Sequence, residues 1–299
     1  MISNPNRHRS RVRFGRIALG LLLLTPSLGL RGDPAPASPD AAGGRWILDF
    51  ERDGSVQLTL RRRPDGHGSW SSSNDYVLGD FQGLQRPSSP AEVPATFTMV
   101  RDAGTVRFEG QLGASGGSGR FVFAENPEYV AALASMGYRA VDREELFSLA
   151  VHDVSRRFIH DLDALGYPHV PLDDLVSMRI HGASPEFIRE LKALGYEHLT
   201  TDDLVSMRIH GATPELVRAL KELGYPRLTA DDLVSMCIHG ATPEFIRALA
   251  ALGYRDLSAD DLVGMRIHGV SIDFVRRVQG RLKNVSVDDL VEMKIHGRS

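Results

Sequence analysis

Histidine, aspartate and serine supply the side chains whose spacing could support chemistry in this chain. Ile-His-Gly recurs at Ile180-His181-Gly182, Ile209-His210-Gly211, Ile238-His239-Gly240, Ile267-His268-Gly269 and Ile295-His296-Gly297. The column is thus His181, His210, His239, His268 and His296, with His152 a sixth member in phase. A regular series of imidazoles is a candidate for metal binding or for sensing pH. Stacked helical units would, however, set neighbouring histidines on the order of 10 Å apart, too far to share an ion held by bonds of ~2 Å. An imidazole in the last turn of a helix has a simpler use, because it favours the negative end of the helix dipole.

Paired acids recur at Asp173-Asp174, Asp202-Asp203, Asp231-Asp232, Asp260-Asp261 and Asp288-Asp289. They suggest calcium, but they lack the glycine and the alternating oxygens of a calcium loop. Placed in the first turn of a helix, they read as caps. Gly113-Ala114-Ser115-Gly116-Gly117 matches G-x-S-x-G, the hydrolase nucleophile elbow. That motif requires a strand-to-helix turn, with a histidine and an acid delivered by a large α/β sheet. Here it lies between two β-patterned segments and reads as a turn. His67, Ser69 and Asp75 are the nearest polar cluster for an enzyme site, but no spacing there specifies a reaction. Arg31-Gly32-Asp33, an integrin-type tripeptide, abuts a signal-like segment and reads as coincidence. No catalytic, metal or cofactor site is assigned.

The histidine and aspartate columns share a period that organises residues 126–299. The Ile-His-Gly spacings are 29, 29, 29 and 28 residues, and Gly-Tyr recurs every 29 residues from Gly137-Tyr138 to Gly253-Tyr254. Helix-start residues fall in the same phase at Asn126, Ser155, Ser184, Thr213, Thr242 and Ser271, each a good N-cap. Pro127, Pro185, Pro214 and Pro243 follow at the first helical position, where no hydrogen bond is lost. Six units are predicted: 126–154, 155–183, 184–212, 213–241, 242–270 and 271–299. Each reads as two short helices. In the unit from Ser184, Phe187, Ile188, Leu191 and Leu194 form one apolar stripe. Gly195 and Tyr196 make a Schellman stop. Leu199 staples onto Leu204 behind the N-cap Thr200 with Asp203. Leu204, Val205, Met207 and Ile209 are assigned to the second apolar face. About ten apolar side chains per unit need neighbouring units to bury them, as in a solenoid.

Period-two alternation dominates residues 45–124. Trp46, Leu48 and Phe50, then Val56, Leu58 and Leu60, then Phe97 and Met99, then Val106, Phe108 and Leu112, and finally Phe121 and Phe123 alternate with polar or small neighbours. Half-buried strands have this pattern. Five or six antiparallel strands in a small sandwich or partial barrel are expected, with turns at 102–104 and 113–119 and a surface loop at 69–75. The fold class is therefore α+β, a small antiparallel β domain followed by an α-solenoid that it covers at one end.

Residues 1–31 hold six arginines and no acid, with an apolar run at 17–30. Fourteen residues rise only about 21 Å in a helix, short of a ~30 Å hydrocarbon core. An export signal fits better than a membrane span. Ala35-Pro36-Ala37 and Ser27-Leu28-Gly29 are alternative cleavage sites, and an uncleaved anchor is the other outcome. Residues 32–44 read as a flexible linker. Loss of the signal takes the formal net charge from −3 to about −9, which opposes binding to nucleic acid or to anionic membranes. The single cysteine, Cys237, excludes an intrachain disulfide framework and a cysteine-based zinc site.

The repeat, Asp-Asp-Leu-Val-x-Met-Arg-Ile-His-Gly with Thr-Pro-Glu-Phe-Ile-Arg and Leu-Gly-Tyr, resembles an array in exported bacterial proteins of unassigned activity. Similar arrays follow the membrane peptidase part of some BlaR1/MecR1-type sensor proteins. The resemblance covers residues 126–299, and the β segment also resembles the one that precedes such arrays. It implies a bacterial exported module, periplasmic or secreted. The His-Glu-x-x-His motif and the multiple membrane helices of those sensors are absent from this sequence, so no peptidase activity carries over.

Residues that change between units mark the expected partner surface. One first-helix site holds Glu190, Ala219, Ala248 and Arg277, and another holds Lys192, Lys221, Ala250 and Gln279. After Gly-Tyr come Pro168-His169, Glu197-His198, Pro226-Arg227 and Arg255-Asp256. Glu190, Lys192, Glu197, His198, Lys221, Arg227, Arg255 and Asp256 are the candidate partner-binding residues. A first-helix arginine column, Arg189, Arg218, Arg247 and Arg276, is expected to pair with acids of an adjacent helix, or else to form an anion-binding strip. The expected function is a non-enzymatic exported scaffold that binds a protein or peptide. The alternatives are a regulatory part of an envelope signalling system and an enzyme sited in the β domain.

Overall fold

A computed structural model describes residues 43–62 and 70–297. The expected export signal with its candidate cleavage sites, the Arg-Gly-Asp tripeptide, residues 32–42 of the expected linker, His67 and Ser69 lie outside the described residues. Among those described, six strands form one antiparallel sheet: β1 (Gly43–Phe50), β2 (Ser55–Arg62), β3 (Trp70–Val77), β4 (Val93–Arg101), β5 (Gly104–Leu112) and β6 (Gly116–Glu125), ordered β3-β2-β1-β6-β5-β4. The alternating apolar residues all face one side, and Trp46, Leu48, Val56, Leu58, Leu60, Val106 and Phe108 are fully buried there.

The sheet curls on itself into a partial barrel. Trp46 of β1 meets Phe97 of β4 edge to face at 5.3 Å, although β6 and β5 lie between those strands in the sheet order. Backbone bonds between Gln82 and Thr98 (2.8 and 2.9 Å) bring the chain after β3 onto β4. Glycines make room for the curl. Gly110 and Gly119 oppose each other across β5 and β6, and the Trp46 indole N–H donates there to Glu109 O (3.2 Å) and Arg120 O (3.0 Å). A β-carbon on Gly119 would collide with the Glu109 carbonyl and lie 2.8 Å from Trp46 Nε1.

Two local expectations are corrected. Residues 70–75 belong to strand β3 and are not a surface loop. The inward positions Ser72 and Asn74 are polar, so this strand at the end of the sheet order carries no apolar alternation. The expected turn at 113–119 is confined to 113–115. Gly116, Gly117 and Gly119 are strand residues paired with β1 and β5, because the curled sheet leaves no space for side chains there. The G-x-S-x-G match is therefore a hairpin turn, closed by Gly113 N–H donating to Gly116 O at 2.8 Å.

Twelve helices follow among the described residues: α1 (Pro127–Ser135), α2 (Arg143–Val151), α3 (Arg156–Ala164), α4 (Leu172–His181), α5 (Pro185–Ala193), α6 (Thr201–His210), α7 (Pro214–Glu222), α8 (Ala230–His239), α9 (Pro243–Ala251), α10 (Ala259–Ile267), α11 (Ile272–Gln279) and α12 (Val287–Ile295). Odd helices stack on odd and even on even, giving a two-row array. Asn126, Ser155, Ser184, Thr213, Thr242 and Ser271 each cap the following odd helix through the side chain. Even helices α6, α8, α10 and α12 begin with a capping box closed by Asp203, Asp232, Asp261 and Asp289. Pro171 stands at the corresponding position of α4 and provides no side-chain cap. At the end of α5, Tyr196 N–H donates to Leu191 O (3.1 Å) and Gly195 N–H to Lys192 O (2.8 Å), with Gly195 at φ 88°. This is the Schellman geometry.

The sheet and the array share one hydrophobic core. Helix α2 packs against β5 and β6. Its Phe147 ring stacks on Phe121 at 5.4 Å and meets Trp70 edge to face at 5.3 Å. The nearly buried Arg62 guanidinium lies 4.7 Å from the Phe147 ring centre and pairs with Glu144 at 2.7 Å. Asp102, in the β4–β5 turn, accepts four hydrogen bonds of 2.6–3.0 Å from Arg156, one of them from its backbone N–H.

Candidate interaction surface

Helices α4, α6, α8 and α10 bury two positions each. In α6 these are Leu204 and Met207, and the same pair recurs as Leu175 and Met178, Leu233 and Met236, and Leu262 and Met265. Ile209 does not join the second apolar face. It stands two residues past Met207, about 200° round the helix, and it is 52% exposed. Ile180, Ile238, Ile267 and Ile295 are 52–57% exposed in the same way. Five large aliphatic side chains thus form a solvent-facing ladder along one edge of the array. In the first unit the equivalent residue is Val151, which is buried.

Each ladder isoleucine is followed by an exposed histidine. Among the described residues none of the five imidazoles His181, His210, His239, His268 and His296 takes a hydrogen bond, and no three metal-ligating side chains converge. His152 differs from them. It is half-buried, and burial, with the Arg179 charge nearby, pushes its pKa down to about 4.

A basic residue precedes the isoleucine in most units and fastens the stack. Arg208 lies over the Phe187 ring at 5.1 Å and its Nε donates to His181 O of the preceding unit at 3.3 Å. Arg266 does the same with Phe245 (5.0 Å) and His239 O (3.3 Å). Arg179 covers Phe158 at 5.3 Å, donates to His152 O at 3.1 Å and pairs with Asp153 at 2.7 Å. Lys294 covers Phe274 at 4.7 Å. The unit from Thr213 has neither partner of this clamp, with Leu216 in place of the phenylalanine and Cys237 in place of the arginine. That joint is fastened on the odd row instead. Arg218 pairs with Glu190 at 2.7 Å, and Lys221 Nζ donates to Leu194 O.

The variable residues divide into two groups. Glu190, Lys192 and Lys221 are engaged within the array. Glu190 holds Arg218, Lys192 lies 5.8 Å over Tyr167 and donates to Glu197 O, and Lys221 lies 5.9 Å over Tyr196. Glu197, His198, Arg227, Arg255 and Asp256 are exposed after the Gly-Tyr turns. The two groups touch where Lys192 also pairs with the Glu197 carboxylate at 3.8 Å. The arginine column pairs mostly within its own helices, Arg189 with Glu186, Arg247 with Glu244 and Arg276 with Asp273 at 3.1–3.3 Å. An acid three residues earlier is closer than one on the next helix, and only Arg218 also reaches its neighbour.

The tyrosine column has a role that its spacing did not reveal. Tyr138, Tyr196 and Tyr254 donate their hydroxyl hydrogens to Val170 O, Leu228 O and Val285 O of the following unit at 2.8–2.9 Å. In the sheet, Asp75 borders an open hollow of about 450 Å³ with Glu51, Arg52, Asp53, Ser55 and Gln57. Asp53 accepts bonds from the Ser55 N–H and hydroxyl there, which hold its carboxyl below the usual carboxylate range.

No family model, curated protein or solved structure matches the chain. Among the described residues no helix is long and apolar enough to cross a membrane.

Proposed function

We propose that this chain is a non-enzymatic scaffold that binds a protein or peptide along the Ile–His edge of its helical array. The observation that carries the reading is the ladder of five isoleucines, each more than half exposed. Units that differ at the exposed positions after Gly-Tyr keep isoleucine here. Core packing alone does not account for side chains left more than half exposed, whereas a recurring exposed apolar row fits an interaction site. The resemblance to exported bacterial arrays supports an envelope or extracellular setting. The enzyme reading has no comparable support: in the hollow beside Asp75 the Ser55 hydroxyl meets only Asp53, an exposed carboxylate held below its usual range and so a weak base.

Photo-crosslinking tests the edge. A benzophenone amino acid replaces Ile209 in one variant and Asp231, at the opposite end of the even helices, in another. In envelope extract the Ile209 variant should crosslink a discrete partner and the Asp231 variant should not. Equal labelling from both edges, or none from Ile209, would remove the reading.

A further inference from the structure

Resting on that scaffold reading, we infer that the partner segment is an acidic amphipathic helix with an aliphatic side chain at about every seventh residue. The charge follows from the basic groups that border the ladder. Arg208 and Arg266 have no carboxylate within ion-pair distance among the described residues, yet each guanidinium is held in place by a phenylalanine ring and a carbonyl. Such groups are already ordered, so a carboxylate can pair with them at little entropic cost. Five exposed imidazoles lie on the same edge.

The spacing follows from helix packing. Neighbouring even helices lie about 8–10 Å apart, so the isoleucines recur at about that interval. Seven residues of a helix rise about 10.5 Å and return to nearly the same face. Three residues of a strand cover the same length but point alternate side chains to opposite sides.

A second copy of this chain fits less well. The acidic edge, with exposed Asp173, Asp202, Asp231, Asp260 and Asp288, has no row of exposed aliphatics to meet the ladder. Two ladders face to face would set arginine against arginine. A lipid surface also fits less well, because the apolar row is one residue wide and an interfacial helix buries a broad face.

The test titrates labelled helical peptides of about four heptads against the full chain by fluorescence anisotropy. One peptide is glutamate-rich with leucine at every seventh position. Controls exchange glutamate for lysine, glutamate for glutamine, or leucine for alanine, and vesicles of phosphatidylglycerol serve as the lipid probe. The glutamate–leucine peptide should bind, and the controls should bind at least about tenfold more weakly. Affinity should fall about tenfold or more in an Ile209→Ser, Ile238→Ser variant and in an Arg208→Gln, Arg266→Gln variant, each checked for folding by its melting curve. Equal binding of the lysine or glutamine peptide overturns the acidic partner; if the isoleucine variant abolishes that binding, the scaffold reading stands. Preferential capture by vesicles overturns the helical partner. Failure of every probe overturns it too, and the Ile209 crosslinker then decides whether the scaffold reading falls with it.

Discussion

The sheet and the array solve one problem, burying apolar residues, by opposite routes. The sheet gathers distant residues into one aromatic cluster, in which Phe97 and Phe108 stack at 4.7 Å and Trp46 meets both rings. Its two local meanders, β1–β2–β3 and β4–β5–β6, are joined through β1 and β6, whose pairs reach from Gly43 to Val122. The array repeats a short unit whose caps, stops and boxes are local, and each helix stacks on the next of its row. A repeated residue therefore means different things in the two regions. Glycine in the sheet is required for space. Glycine at the helix ends of the array is required for backbone conformation, as at Gly211, where φ is 77° and no atom lies within 4 Å of an added β-carbon.

Paired substitutions would break or support that contrast. Gly119→Val should cost about 3 kcal/mol or more, the upper range for overpacking, because backbone and Trp46 both obstruct the added carbons. Gly211→Ala should cost about 1 kcal/mol, the penalty for a left-handed alanine. Urea unfolding followed by tryptophan fluorescence and by helical circular dichroism measures both. Similar losses at the two sites would erase the distinction.

The histidine column offers the next largest effect, and it separates His152 from the five exposed members. His152 is held neutral in the folded chain, with its pKa near 4 against an ordinary 6.5. The unfolded chain takes up the proton first as pH falls, so acid favours unfolding. The contribution is complete above pH 6.5 and is lost progressively as pH falls toward 4. It amounts to about 2 kcal/mol after discounting for partial exposure, or roughly 5 °C in melting temperature. A first variant, His152→Gln, should flatten that part of the pH profile. An unaltered slope in the first variant would show that burial does not control this imidazole.

Much of this was legible in the residues, and the exceptions have physical causes. All six odd-helix caps could be read from Ser, Thr or Asn, because capping is a local exchange between a side chain and the next turn. Strand β3 was hidden because Ser72 and Asn74 break the period-two signal at the end of the sheet order. The curl between β1 and β4 was hidden because it depends on glycines that are turn residues by composition. Ile209 was misplaced by treating every apolar residue of a short helix as core, although its 200° offset from Met207 was countable. The arginine clamp needed two residues about twenty positions apart, a spacing that no helix or strand period contains.

A smaller effect tests the joint without a clamp. Leu216→Phe with Cys237→Arg should restore the ring and the guanidinium together, placing an arginine to donate to His210 O. The pair should gain roughly 1 kcal/mol, from a cation–π contact of about 0.5–1 kcal/mol and one hydrogen bond, and each single change should gain less than half of it. A double-mutant cycle in urea measures the coupling. Additive single effects would mean that ring and cation act independently at the other joints too.

The smallest expected change carries the most weight for function. Ile209→Ser and Ile238→Ser should alter stability by no more than about 0.5 kcal/mol, as exposed substitutions do. Met207→Ser, two residues before Ile209 and fully buried, should cost several-fold more, about 3 kcal/mol or above, from lost burial and an unpaired hydroxyl. The contrast within one helix decides what recurrence means in this array. If the isoleucine variants unfold as readily as the methionine variant, the ladder is packing in solution and the Ile–His edge is no binding surface. If they melt with the parent and lose the partner, an apolar residue repeated in five units serves contact with another molecule, and the histidine and arginine beside it are to be read in that light.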